Sequence, residues 1–345
     1  MGTAGSRPFC RPSTVRHTLL PVVLVLVLAT TLTGSGYAAQ ALSVILPDLA
    51  PTLPTGWSMH ILPGARPGVM LEVLQRPALA PPARYRLVVV PGSGCTGWLP
   101  VASRYFAGLL HAELLVLHKP GVNAGVGLTT DCGARFIQND TLSAWRDHAR
   151  AALQAHFADD RGARPQGPTL PVLLVGISEG AELLPYLAAI VPALAGVVMV
   201  SAPGLDPAEA GELQARRLGH WPAWQVLGRA QASEATDDAV FEGRTLGYWR
   251  DFWHWRLAQP LLDGPWPLLR VWGDADALVP VAAHQRFGQL ARSRTAAFCD
   301  LRLPGADHGL QRGPPDQFDG LQWLWARLEG WARKPAAGWC TQLLP

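Results

Sequence analysis

Short apolar runs and segments of helical spacing alternate along most of this chain. Runs of strand length fall at 57–62, 69–75, 85–91, 113–118, 171–176, 195–201, 267–273 and 299–303. Between them, 99–112, 142–157, 180–191, 281–292 and 315–333 carry apolar residues at the spacing of one helix face. That alternation predicts an α/β fold in which a predominantly parallel, eight-stranded sheet is covered by helices on both faces. The last segment, FDGLQWLWARLEGWARK, gathers its tryptophans and leucines on one stripe and reads as core packing. Residues 204–265 break the rhythm. They hold no strand-like run, only charged helical segments with His220, Trp221, Trp224 and the cluster YWRDFWHW at 248–255, and they read as an inserted helical lid. No internal repeat is visible, and the Pro- and Gly-bearing stretches 161–168 and 311–315 read as surface loops.

With 345 residues, 49% of them hydrophobic, the chain is long enough to bury a large core. The formal charge of +3 is misleading, because Arg7, Arg11 and Arg16 all precede the first long apolar run and residues 1–41 contain no acid. The remainder, 42–345, is formally neutral and has no basic stripe, which sets nucleic-acid binding aside. The leading segment is informative in another way. An arginine-bearing start, the run LLPVVLVLVLATTL at 19–32 and the small-residue stretch around Ala38, Ala39 and Ala41 have the order of a secretory signal peptide. The run falls short of the roughly 20 residues a membrane helix needs. Residues 1–41 are therefore expected to be a signal peptide, with an N-terminal membrane anchor as the alternative. The body is expected to be exported to the periplasm or the extracellular space, and to meet a membrane only if the segment stays uncleaved.

Cysteine usage fits export. Cys95, Cys132, Cys299 and Cys340 remain in the body, an even set with three possible pairings. None forms a C-x-x-C pair, so neither a zinc site nor a redox pair is implied, and no other metal or organic cofactor is called for.

Three short stretches carry candidate chemistry. In VLLVGISEGAELLPY at 172–186, a buried run meets Gly176, Ile177, Ser178, Glu179 and Gly180 where a strand turns into a helix. After PLLRVW comes GDADALVP at 273–280, with Asp274 and Asp276, and after DLRLP comes GADHGLQR at 305–312, with His308. A serine nucleophile needs a base within hydrogen-bond reach, and that base needs an acid to fix its tautomer. In a parallel sheet both arrive from the ends of later strands. Each residue alone has an ordinary explanation as a cap, a turn former or an exposed histidine, but the conjunction in this order, each just past a strand, does not.

GISEG, GDADALVP and GADHGL together resemble the nucleophile, acid and histidine loops of the α/β-hydrolase fold family, over roughly residues 55–335. The resemblance implies Ser178 as nucleophile, Asp276 as acid with Asp274 as runner-up, and His308 as base. It implies an oxyanion hole from the backbone N–H of Glu179 and of Ser93, the latter in PGSGCTGW at 91–98 with Gly94 and Cys95 as neighbouring candidates. In this fold the strands at 85–91 and 113–118 are neighbours. That implies a bridge from Cys95 to Cys132 bracing the oxyanion loop, and a second from Cys299 to Cys340 pinning the tail. The segment 204–265 stands where the fold often carries a lid, with Trp249 and Trp253 as candidate substrate-binding residues. The resulting expectation is a secreted serine hydrolase that cleaves a small-molecule or lipid-like carboxylic ester through an acyl-enzyme. A peptidase, amidase, thioesterase or acyltransferase on the same fold, or a binding protein without catalysis, are the alternatives.

Overall fold

A computed structural model describes residues 53–127, 132–163, 169–313 and 318–333, together with Cys340. The candidate leader at 1–41 lies outside the described residues. All eight expected strands form. They are β1 (Ser58–Pro63), β2 (Met70–Arg76), β3 (Tyr85–Val90), β4 (Ala112–Leu117), β5 (Val172–Ile177) and β6 (Leu194–Val200), then, after a hairpin of β7 (Val240–Phe241) and β8 (Arg244–Thr245), β9 (Leu268–Gly273) and β10 (Phe298–Leu303). The large sheet has the order β1-β2-β4-β3-β5-β6-β9-β10. Only β2 runs antiparallel to its neighbours; every other adjacent pair is parallel.

Side chains on a strand alternate between faces, and β3 shows how one apolar run serves two cores. Tyr85, Leu87 and Val89 pack with α1 (Leu99–Tyr105) and α10 (Gly320–Arg333). Val88 and Val90 point the other way, into a core built with α3 (Leu142–Ala163), α4 (Leu184–Ala188) and α9 (Val281–Leu290). Each fully buried Val or Leu side chain contributes about 1.5–3 kcal/mol of transfer free energy. A strand buried on both faces cannot slip by one residue without exchanging its two cores.

Two helical expectations change. The segment 180–191 does not start as an α-helix. A 3-10 turn runs over Ser178–Leu183 and α4 follows at Leu184. Pro185 explains the break: it has no N–H to give the carbonyl four residues back, so a regular helix cannot continue through it from 180. The helix expected over 99–112 stops at Tyr105. At the other end of the chain, α10 starts at Gly320, where the Asp319 carboxylate accepts from the N–H groups of Leu321 and Gln322 at 3.1 and 3.0 Å.

Between β6 and β9 the chain forms α5 (Pro207–Arg217), α6 (Trp221–Gln231), the β7–β8 hairpin, α7 (Leu246–His254) and α8 (Ala258–Asp263). The expectation that 204–265 contains no strand is corrected by the hairpin. Its strands are two residues each, too short to leave a period-two signature. Its turn takes positive φ at both central residues, 49° at Glu242 and 74° at Gly243, the form that suits the twist of paired strands. A short helix missed by the periodicity, α2 (Ala134–Asn139), precedes α3. Both disulfides form as implied, Cys95–Cys132 with Cα atoms 5.7 Å apart and Cys299–Cys340 with 5.3 Å.

Candidate active site

The order of the strands decides where a site can be. From β3 the chain moves to β4 on one side, then returns past β3 to place β5 on its other side. The connections after β3 and β5 therefore leave in opposite directions and open a crevice at the carboxyl edge between them. The loop 91–98 leaves β3 at that crevice, and Ser178 follows directly on β5.

Ser178 has φ of 51°, a left-handed conformation that costs an L-residue energy and persists only where the surroundings enforce it. The surroundings also require the flanking glycines. A Cβ on Gly176 would lie 2.5 Å from the Ala181 Cα, and one on Gly180 would lie 2.2 Å from the carbonyl oxygen of Val90. The turn packs directly against β3, and no larger residue fits at either position.

His308 lies beside the raised serine. Its Nε2 is 3.1 Å from the Ser178 Oγ, and its Nδ1 is 2.7 Å from an Asp276 carboxylate oxygen. A carboxylate only accepts, so Nδ1 carries the proton and Nε2 is left to accept from the serine hydroxyl. Asp276 is 1% exposed, and its other oxygen accepts from the N–H groups of Leu278 and Val279 at 2.7 and 3.0 Å. The runner-up is engaged elsewhere. Asp274 accepts from Arg302 and from the Gly305 N–H, and these bonds, the Gly305 amide foremost, hold its carboxyl below the usual range. One supporting residue was missed by sequence reasoning. Ser201, just past β6 with φ of 53°, donates from Oγ to the His308 carbonyl at 2.6 Å and fixes the histidine loop. Its only signal was its place at a strand end.

Glu179 does more than supply a backbone amide. Its side chain is buried and ion-paired with Lys119, which follows β4, and it accepts from the Tyr248 hydroxyl on α7 at 3.0 Å. Lys119 also donates to Asp140 at 2.8 Å. Arg244, on β8, pairs with the second oxygen of Asp140 and lies over the Tyr248 ring at 4.5 Å. Two carboxylates and two cations thus balance each other out of water, joining the sheet to the segment 204–265 immediately beside Ser178. Burial alone would push Glu179 upward, but Lys119 and Arg244 outweigh it and hold the carboxyl below its usual range. Lys119 is held above its usual range, since Asp140 and Glu179 together outweigh the effect of burial. Neither Lys119 nor Arg244 had a sequence signal stronger than a basic residue near a strand or turn.

The loop 91–98 is also held. His118, next to Lys119, accepts from the Trp98 N–H at 3.1 Å through Nε2 and donates from Nδ1 to the Glu72 carbonyl at 3.0 Å. Burial lowers its pKa to about 4, so it stays neutral, as both bonds require. A Cβ on Gly92 would come 3.2 Å from the Ser178 Cβ, which measures how closely this loop faces the serine.

Two cavities meet at Ser178. One, of about 430 Å³, lies on the loop side and is lined by Gly92, Ser93, Tyr105, His118 and His308. The other, of about 160 Å³, lies under the segment 204–265 and is lined by Glu182, Trp224, Tyr248, Trp249 and Phe252. The structure therefore brings Ser178, Asp276 and His308 together, places Ser93 in one cavity and Trp249 in the other, and leaves Trp253 out of both linings. Trp253 instead stacks on Trp224 at 4.7 Å and packs against Gly228 within the inserted segment. Among the described residues, no group of three or more His, Cys, Asp or Glu side chains is arranged to hold a metal ion.

No protein-family model and no curated protein sequence matches the chain. Solved structures do. An esterase domain from Rhodothermus marinus is similar with a TM-score of 0.50 at 17% identity, over 81% of this chain and 98% of that one. The α/β-hydrolase domain-containing protein 10 from mouse is similar with a TM-score of 0.50 at 16% identity, over 81% and 99%. A protein of unknown function from Staphylococcus aureus is similar with a TM-score of 0.51 at 14% identity, over 80% and 98%. The fold is the α/β-hydrolase fold.

Proposed function

We propose that the protein is a serine hydrolase that cleaves a carboxylic ester through an acyl-enzyme, with Ser178 as nucleophile, His308 as base and Asp276 as acid. The observation that carries this reading is the hydrogen-bonded chain from Ser178 Oγ through His308 to the buried Asp276 carboxylate, at 3.1 and 2.7 Å, with a cavity on each side of the serine. The Ser178 oxygen attacks the ester carbonyl carbon while its proton passes to His308 Nε2. The negative charge on the carbonyl oxygen falls to the backbone N–H groups of Glu179 and Ser93. Collapse breaks the bond to the alcohol oxygen, which takes the proton from His308 and leaves. Water then adds to the acyl-serine, gives a proton to His308, and the acid departs as that proton returns to Ser178.

The departing alcohol must lie within reach of the protonated histidine. His308 lines the loop-side cavity and not the cavity under 204–265. This supports an orientation with the alcohol on the loop side and the acyl group under the inserted segment, which acts as the lid over it. A dry cavity of about 150 Å³ holds one benzene-sized group. The acyl cavity, at about 160 Å³, is suited to a compact acyl group rather than a long fatty chain.

We also infer that the protein is exported. Two disulfides support this, since such bonds persist in oxidising compartments. Among the described residues no helix is long and apolar enough to cross a membrane.

A fluorophosphonate probe tests the central claim. It should label Ser178 alone, and Ser178→Ala should lose both labelling and hydrolysis of short p-nitrophenyl esters. Labelling or turnover that survives in the alanine variant would overturn the assignment.

A further inference from the structure

The cavity on the loop side of Ser178 has a one-sided charge pattern. One of its walls is a single face of α1. Val101, Arg104 and Tyr105 line the cavity, while Leu99 and Ala102, on the opposite side of the helix, pack into the core. Among the described residues, no aspartate or glutamate lines this space. Four basic side chains do, and three of them are committed. Lys119 pairs with Asp140 and Glu179. His118 bonds the Trp98 N–H and the Glu72 carbonyl. His308 belongs to the chain from Ser178 to Asp276. Arg104 is the fourth. It is exposed, and its guanidinium makes no ion pair or hydrogen bond among the described residues.

The uncharged groups on the same wall are donors as well. The hydroxyls of Thr96 and Tyr105 make no hydrogen bond among the described residues, and neither is sealed away from solvent. Burial first, and then Asp319, push the Tyr105 phenol above its usual range, so it keeps its proton and can donate. Asp319 itself is engaged at the start of α10, where it accepts from Leu321, Gln322 and Gln311. A guanidinium presents a fork of N–H donors that matches a carboxylate, and it has no acceptor. A ligand here therefore finds a free cation and free donors, with no acid to oppose a negative charge.

We propose that the loop-side cavity selects a leaving alcohol or phenol that carries a carboxylate, and that Arg104 is the residue that reads it. The inference rests on the reading of Ser178 as nucleophile and of this cavity as the seat of the departing alcohol. One free cation matches one negative charge, whereas a dianionic phosphate would leave a charge unanswered. Because Arg104 is exposed, water weakens the pair, and the expected preference is about five- to tenfold rather than the larger margin of a buried pair.

The test compares two acetate esters on the full chain, those of para-hydroxyphenylpropanoate and of its neutral amide. Two methylenes separate the ring from the charge, so both phenols leave with similar ease, and the ratio of the two kcat/KM values reports recognition. The native ratio should exceed that of Arg104→Gln by about five- to tenfold, Arg104→Lys should retain part of it, and Arg104→Glu should fall below Arg104→Gln. Added salt should bring the native ratio toward that of Arg104→Gln. Calorimetry on the Ser178→Ala protein gives the same comparison without turnover: para-hydroxyphenylpropanoate should bind more tightly than its amide, and Arg104→Gln should remove the difference. Ratios that agree within about twofold in the native, Arg104→Gln and Arg104→Glu proteins, or a carboxylate preference in binding that survives Arg104→Gln, would overturn the proposal. A failure of Ser178 as nucleophile would instead abolish turnover of both esters and the fluorophosphonate label, while leaving the binding comparison readable.

Discussion

Replacing Lys119 by methionine should unfold the protein more easily than any substitution of similar size on its surface. Lys119 is 3% exposed and donates to Asp140 at 2.8 Å while pairing with Glu179. Methionine fills much of the same volume but removes the charge, and leaves two buried carboxylates to share Arg244. Breaking a buried ion pair by deleting one partner costs about 3–5 kcal/mol, because the remaining charge stays out of water. Against a total stability of about 5–15 kcal/mol this is a large fraction, and it corresponds to a fall in Tm of about 10 °C. Thermal and urea unfolding at neutral pH, with disulfides intact, measure it. The double variant Lys119→Met with Glu179→Gln removes one stranded carboxylate, and should be more stable than Lys119→Met alone. The pH dependence follows from the shifts. Glu179, held below its usual range, contributes stability above the ordinary carboxyl pKa and loses it as pH falls through its folded value. Lys119, held above its usual range, contributes below the ordinary ammonium pKa and loses it as pH rises through its folded value. The difference between native and variant should therefore be flat from about pH 6 to 9 and shrink in acid. A Lys119→Met protein that melts within about 2 °C of the native one, or a double variant no more stable than the single, would refute the view that this network is a balanced buried pair set.

Three other outcomes are expected. Asp276→Asn should lower kcat on a reactive ester by roughly 10⁴, since it replaces a carboxylate that can only accept with an amide that can donate and so no longer fixes the His308 tautomer, while Asp274→Asn should do far less; the reverse ranking would move the acid. Glu182→Gln should raise Tm, and the gain should grow as pH rises above the ordinary carboxyl range, because a buried acid with a raised pKa keeps a proton that the unfolded chain releases. A gain independent of pH, followed in a melting series, would contradict a raised Glu182. Trp249→Ala should shift the kcat/KM optimum to longer acyl chains by enlarging the cavity, whereas Trp253→Ala should lower Tm with no change in chain-length preference.

Much of this protein is legible in its sequence because the signals are local. The central strands β3, β4, β5, β6 and β9 are short apolar runs, and a strand buried on both faces has little other composition available to it. The glycines around Ser178 read as a strained turn from the chain alone, since only a residue without a side chain fits where strand and helix touch the neighbouring strand. Asp276 and His308 can be named because each closely follows a strand. The choice between Asp274 and Asp276 is also readable, but only through likeness to a family; nothing in GDADALVP says which carboxylate meets the histidine.

What the sequence could not carry is everything that depends on charges meeting across distant segments. Lys119, Asp140, Glu179 and Arg244 come from four separate stretches of chain, and each one alone resembles an ordinary surface residue. Only the packing that removes water from all four at once makes them a network. Trp249 and Trp253 are four positions apart on one helix and identical in chemistry, yet one lines the cavity and the other packs on Trp224. Glu182, whose carboxyl is pushed upward by burial and by Glu179, sits in a turn whose sequence, SEGAEL, predicts only a helix start. Local pattern determined which elements form and where the reactive serine stands, because backbone sterics and apolar periodicity act over a few residues. The tertiary structure alone decided which buried charges are balanced and which cavity wall each side chain faces, because desolvation and Coulomb energy depend on positions in space that no short stretch of sequence encodes.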